Sequence, residues 1–234
     1  PDQMFSVIEE GTRRVLDFAL EAKAEKVLFL SSGAVYGHQP SDVTHLPEDF
    51  GGEPDSQHPD AAYGLAKRSA EQLCGEYDQR YGLKSLIARC FAFLGPHLPF
   101  GIHFAAGNFI HDCLCGDVIH VRGDGTPLRS YLYPTDLMIW LFKILQNGSS
   151  CDPYNVGSDH EVSIAELANK IAQAAEHKVE VRIYKQPVAG EKPQRYVPKI
   201  TKAKSELGLN VAVSLDQAIE RTFAWAKIHK ETLI

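Results

Sequence analysis

The chain has 234 residues, 44% of them hydrophobic, which is enough for one substantial core or two unequal lobes. A formal net charge of −6 and the lack of any basic block exclude a nucleic-acid or membrane-surface protein. Five scattered cysteines without a C-x-x-C pair, and ten histidines without zinc spacing, argue against a disulfide scaffold and against a metal.

No apolar run approaches the ~18 residues needed to span a bilayer. With reduced thiols, this makes a cytoplasmic protein the expectation. The sequence opens on Pro1, in what reads as the approach to a helix, and is expected to continue a longer polypeptide. Apolar positions at Val7, Ile8, Val15, Leu16, Ala19 and Leu20 predict a helix over 5–22. Val27-Leu-Phe-Leu30 then reads as a buried strand running into Ser31-Ser32-Gly33. From Gly37 to Ala62 the prolines and Gly51-Gly52 predict a long loop, of a length usually reserved for functional walls. A helix follows from Tyr63 to Tyr81, with Asp60 placed to cap it and Gly82 to end it. Leu83 to Phe93 reads as the next strand. Strand, helix and strand at these lengths predict a βαβ unit in a parallel sheet, whose ligands sit at the carboxyl ends of the strands.

After Gly95-Pro96 the pattern shortens. Helices are expected near 109–114, 134–145, 163–175, 201–207 and 214–229, and strands near 118–121, 154–156 and 179–184. Ser163 with Glu166 forms a capping box, and Asp136 reads as a helix cap. The fold class predicted is α/β, a Rossmann-type parallel sheet lacking its first strands, with a smaller mixed α/β lobe for substrate. Residues 1–95 are assigned to the dinucleotide-binding part and 96–234 mainly to the substrate lobe, some segments of it returning to the sheet.

Tyr63 and Lys67 stand four apart, on one side of a helix. An unperturbed tyrosine ionises only at about pH 10, and a neighbouring ammonium favours its phenolate. With a strand-end serine, these residues can move a proton on and off an alcohol. The redox half of such a reaction has to come from a cofactor.

These residues resemble the extended short-chain dehydrogenase/reductase family of nucleotide-sugar epimerases and dehydratases. Arg89-Cys-Phe-Ala-Phe-Leu-Gly-Pro96, Gly107-Asn-Phe-Ile110, Gly123-Asp-Gly125, Arg129-Ser-Tyr-Leu-Tyr-Pro-Thr-Asp136 and Tyr154-Asn-Val-Gly157 are similar to further family segments. The resemblance implies Ser32, Tyr63 and Lys67 as catalytic residues, with Ser31, Tyr63, Lys67 and Phe91 beside the cofactor. It implies Ser32, Asn108, Arg129 and Glu191 as contacts of a nucleotide diphosphate sugar, and a homodimer built through the helices near 5–22 and 60–81. The cofactor implied is NAD, with NADP left open. The activity implied is an NAD(P)-dependent epimerase or 4-ketoreductase, hydride passing to and from the cofactor and Tyr63 moving the proton. A 4,6-dehydratase and a non-catalytic sugar-nucleotide-binding protein are the alternatives.

Two departures qualify the resemblance. Gly33 and Ala34 stand where the dehydratases carry an aspartate and a glutamate, which disfavours loss of water. No G-x-x-G-x-x-G occurs in the chain, so roughly 80 to 100 residues of the usual domain are expected upstream.

Overall fold

The computed structural model describes residues 2–98 and 104–229. Helix α1 (Asp2–Glu21) turns Leu16 and Ala19 onto Leu73, Cys74 and Tyr77 of α2 (Ala62–Tyr81). Between these helices in sequence runs β1 (Lys26–Ser32), and after α2 comes β2 (Lys84–Cys90). β1 and β2 pair in parallel from Lys26↔Lys84 to Ser32↔Cys90, the βαβ unit expected of the sequence. The remaining elements are α3 (Ala105–Cys115), β3 (Val118–Val121), β4 (Leu128–Arg129), α4 (Pro134–Asn147), β5 (Tyr154–Val156), β6 (Val162–Ser163), α5 (Ile164–Ala174), β7 (Glu180–Ile183), β8 (Arg195–Tyr196), α6 (Thr201–Leu207) and α7 (Leu215–Ile228).

Among the described residues three sheets form: β1-β2-β5, the parallel pair β3-β7, and β6-β4-β8. The first is backed by α4 and α6, whose Trp140, Ile144, Ala203 and Leu207 bury against Leu86, Ala88 and Val156. Residues far along the chain thus return to the sheet that carries Ser32. A second core joins α3, α5 and α7 through Phe109, Ile110, Leu167, Ile171, Ile219 and Phe223. Each such buried aliphatic or aromatic side chain contributes ~1.5 to 3 kcal/mol relative to exposure.

The loop after β1 is irregular but anchored. Gln39 donates from Nε2 to the Val43 and Thr44 carbonyls and accepts from the Val197 N–H, while Leu46 N donates to Val197 O and Lys199 N to Leu46 O. These bonds hold β8 against the end of β1, a placement that local sequence does not announce.

Two capping assignments are corrected. Asp60 lies in a 3-10 turn over Pro59–Ala61 that His58 caps, and α2 starts on Ala61 with no side-chain cap. Asp136 is buried in the first turn of α4, but its carboxylate accepts from the Ala212 and Val213 N–H groups at 3.0 Å each. It fastens the segment leading into α7 rather than capping its own helix. The Ser163–Glu166 box, the left-handed Gly82 and the order of the helices and longer strands follow the sequence reading, which did not foresee the two-residue strands β4, β6 and β8.

Candidate active site

Ser32 ends β1, where it is nearly buried and its Oγ accepts from the Ala34 N–H at 3.1 Å, opening a 3-10 turn over Gly33–Tyr36. The first turn of α2 lies directly on this turn. A Cβ on Gly64 would fall 2.5 Å from the Ala34 carbonyl oxygen, so only glycine admits the approach that brings Tyr63 beside the strand end. Tyr63 keeps 39% of its surface open, as a group that must meet a ligand requires.

Lys67, half-buried, donates from Nζ to the Leu30 carbonyl at 2.7 Å and stands 5.0 Å from the Phe29 ring centroid and 5.9 Å from that of Tyr63. Burial lowers its pKa, against the pull of Cys90 and Glu71. Cys90, the register partner of Ser32, is pushed up to about 11 by burial, so its thiol is neutral at physiological pH.

Opposite Ser32 stands Tyr196, which the sequence reading missed. Its ring packs on Phe91 with centroids 4.7 Å apart, and its hydroxyl would lie 2.7 Å from a Cβ on Gly33. Burial pushes its pKa up to about 12, with Ser32 hydrogen-bonding to favour ionisation and Tyr63 opposing it. Tyr196 is also the parallel register partner of Arg129. Its only sequence signal was a two-residue strand inside a loop rich in proline and glycine, too short for periodicity to reveal.

The other candidates are dispersed. Arg129 is half-buried on β4, where Nη1 donates to the carbonyl of its neighbour Leu128; burial depresses its pKa, and Tyr131 and Tyr196 act on it. Asn108, on α3, lines a cavity of about 1010 Å³ with Phe109, His120, Val121, Gly123 and Tyr184. Phe91 is almost wholly buried and forms wall rather than rim. The Ser31 hydroxyl donates to Glu71 Oε1 at 2.5 Å. Glu191 is exposed, its N–H donating to Val188 O at 3.1 Å.

A second, smaller cavity of about 320 Å³ opens along β1 between Val7, Gly11, Val15, Phe29, Leu30 and Lys67. Its floor is apolar, its rim carries the Lys67 ammonium, and Leu30 is half exposed beside it. Among the described residues no group of three His, Cys, Asp or Glu could hold a metal ion, and no helix is long and apolar enough to cross a membrane.

Residues 1–157 match the profile of the NAD dependent epimerase/dehydratase family. The chain belongs to this family. Among curated proteins it is 29% identical over 231 residues to UDP-glucuronic acid decarboxylase 1 of Danio rerio, covering 96% of this chain and 54% of that protein. It is 30% identical over 228 residues to the Xenopus tropicalis protein of the same name, covering 95% and 53%. The chain thus spans about half the length of the curated relatives it matches. Of solved structures, the UDP-glucose 4-epimerase of Thermotoga maritima with UDP-glucose superposes with a TM-score of 0.82 at 25% identity, over 98% of this chain and 71% of that one. A dTDP-glucose 4,6-dehydratase of Streptomyces venezuelae with NAD gives 0.82 at 23%, over 97% and 68%, a likeness of fold. In family terms, β1 and α2 are the sequence-predicted pair of elements, correctly placed relative to each other, and the α/β class with its parallel sheet is as expected.

Proposed function

We propose that this chain is the catalytic and substrate-binding part of an NAD-dependent enzyme that oxidises and re-reduces one carbon of a nucleotide diphosphate sugar. The observation that carries the reading is the convergence of Ser32, Tyr63 and Lys67 at the carboxyl end of one parallel strand, fixed by Lys67 on the Leu30 carbonyl and by Gly64 on Ala34. NAD, when bound, supplies a hydride acceptor and donor. Tyr63 takes the proton from the sugar hydroxyl and later returns it, and Ser32 holds the same oxygen by a hydrogen bond. Lys67 supplies the positive charge beside the phenol and reaches the ribose. Arg129 and Asn108 hold the diphosphate and nucleotide, Arg129 through charge-assisted hydrogen bonds.

Gly33 and Ala34 offer no carboxylate at the reacting carbon, so the reading runs to epimerisation or ketone reduction rather than loss of water. The curated relatives favour a second outcome of the same first step. A 4-keto uronic acid is a β-keto acid, and it loses its carboxylate once oxidised. The exposed apolar residues of α1, Met4, Val7, Val15 and Phe18, support a homodimer through α1 and α2. The test is incubation with NAD and UDP-glucose or UDP-glucuronate, with products read by NMR. A C4 epimer or a pentose sugar supports the reading; absence of NAD binding together with no conversion of any UDP-sugar or dTDP-sugar would defeat it.

A further inference from the structure

Lys67 and Glu71 lie one turn apart on α2, and each fastens that helix to the end of β1. Lys67 Nζ donates to the Leu30 carbonyl at 2.7 Å, and Ser31 Oγ donates to Glu71 Oε1 at 2.5 Å. Arg89, the register partner of Ser31 on β2, donates from Nε to Glu71 Oε1 at 3.0 Å and from Nη2 to Oε2 at 2.7 Å. Its Nη1 donates onward to Tyr36 Oη and to the Glu48 carbonyl. The Glu71 and Arg89 side chains are 12% and 15% exposed. A buried pair of this kind adds little net stability over an apolar pair of the same size, so its effect is to be sought in position and charge.

We propose that Glu71 is a positioning residue of the proton-transfer set, its carboxylate pinning the Ser31-Ser32 strand end and Arg89 to α2 and placing its charge one turn from the Lys67 ammonium. The inference rests on the roles given above to Ser32, Tyr63 and Lys67. The groups facing Lys67 are Tyr63 and Glu71 from its own helix, the Phe29 ring from β1 and the Cys90 thiol from β2. The Cys90 thiol is neutral near pH 7, and Glu71 is the anion among them, paired on its far side with the Arg89 guanidinium at 2.7 Å. Burial lowers the Lys67 pKa, and Cys90 and then Glu71 raise it. Deleting the Glu71 charge therefore lowers the Lys67 pKa, and the ammonium is lost at a lower pH than in the wild type.

The test compares wild type, Glu71→Gln, Glu71→Asp and Ser31→Ala. The Lys67 midpoint is read by NMR of protein labelled with 13C at the lysine ε carbons. Turnover of UDP-glucose with NAD is followed against pH. Glu71→Gln is expected to move the midpoint down by about half a unit to one unit, a several-fold change in proton affinity, and to carry the alkaline limb of kcat with it. Glu71→Asp keeps the charge on a shorter arm, so kcat falls while the midpoint stays. Ser31→Ala keeps the charge and loses the clamp, with lower kcat, an unchanged KM for UDP-glucose and an unmoved midpoint. A Lys67 midpoint that is the same in Glu71→Gln as in wild type overturns the proposal. Should Glu71→Gln not fold, wild-type kcat in Ser31→Ala overturns it. A wild type that converts no sugar nucleotide defeats the proposed function instead, and the Lys67 midpoints still decide whether Glu71 holds the ammonium.

Discussion

Gly64→Ala sets two magnitudes against each other. In the first turn of α2, alanine gains up to ~1 kcal/mol over glycine in helix propensity. The added Cβ, however, falls 2.5 Å from the Ala34 carbonyl oxygen and 2.8 Å from Pro54 Cγ. A carbon and an oxygen need about 3.3 Å, close to the separation at which such contacts cease to repel, so α2 must back away by ~0.8 Å. Relieving an overpacked contact of this kind costs ~1 to 3 kcal/mol, so the net loss of stability is ~0 to 2 kcal/mol. The consequence for turnover is larger, because the displaced turn carries Tyr63 away from Ser32. A misplacement of about an ångström at reacting groups costs ~100-fold in rate, so kcat is expected to fall ~10- to 100-fold. Urea titration and sugar-nucleotide turnover, run on the same preparation, separate the two effects. Wild-type kcat in Gly64→Ala, with stability unchanged, would refute the claim that this contact sets the distance between the two hydroxyls.

Other expectations follow from single contacts. Asp136→Ala orphans two buried N–H groups, those of Ala212 and Val213, and is expected to cost ~2 to 4 kcal/mol in a denaturant titration. Arg129→Ala is expected to weaken UDP binding by ~10- to 100-fold with little change in stability, as calorimetry would measure, since it removes a charge-assisted contact. Burial pushes the Cys90 and Cys113 thiols up to about 11 and about 12. Because each pKa is raised, the reactive thiolate is scarce below those values, and alkylation by iodoacetamide in the folded protein should become appreciable only above about pH 10. Cys115, which is exposed, should be labelled first in a mass-spectrometric time course.

The sequence made the βαβ unit legible because its signals are local. Four apolar residues, a hydroxyl-glycine exit and a Tyr-x-x-x-Lys spacing each report on a few neighbours along the chain. Glu71, one further turn along α2, was not singled out from the sequence, because its partners Ser31 and Arg89 meet it only in the fold. Tyr196 was not legible, since it reaches Gly33 through the bonds of Gln39 and Leu46 across more than a hundred residues. Asp136 misled for a related reason. An acidic residue in a first turn reads as a cap, yet tertiary N–H groups competed for its oxygens and won. Arg129 on β4 and Asn108 on α3 sit on separate elements, whose relative placement local sequence does not report.

The measurement that bears most directly on the proposed chemistry is turnover and binding by Tyr63→Phe, loaded with NAD and offered the sugar nucleotide that wild type converts. Removal of one hydroxyl leaves the ring and its contact with Lys67 in place. The expected result is a fall in kcat of ~100- to 10,000-fold, the usual worth of a positioned acid/base, with sugar-nucleotide affinity unchanged within about twofold. Turnover by Tyr63→Phe at the wild-type rate would contradict it.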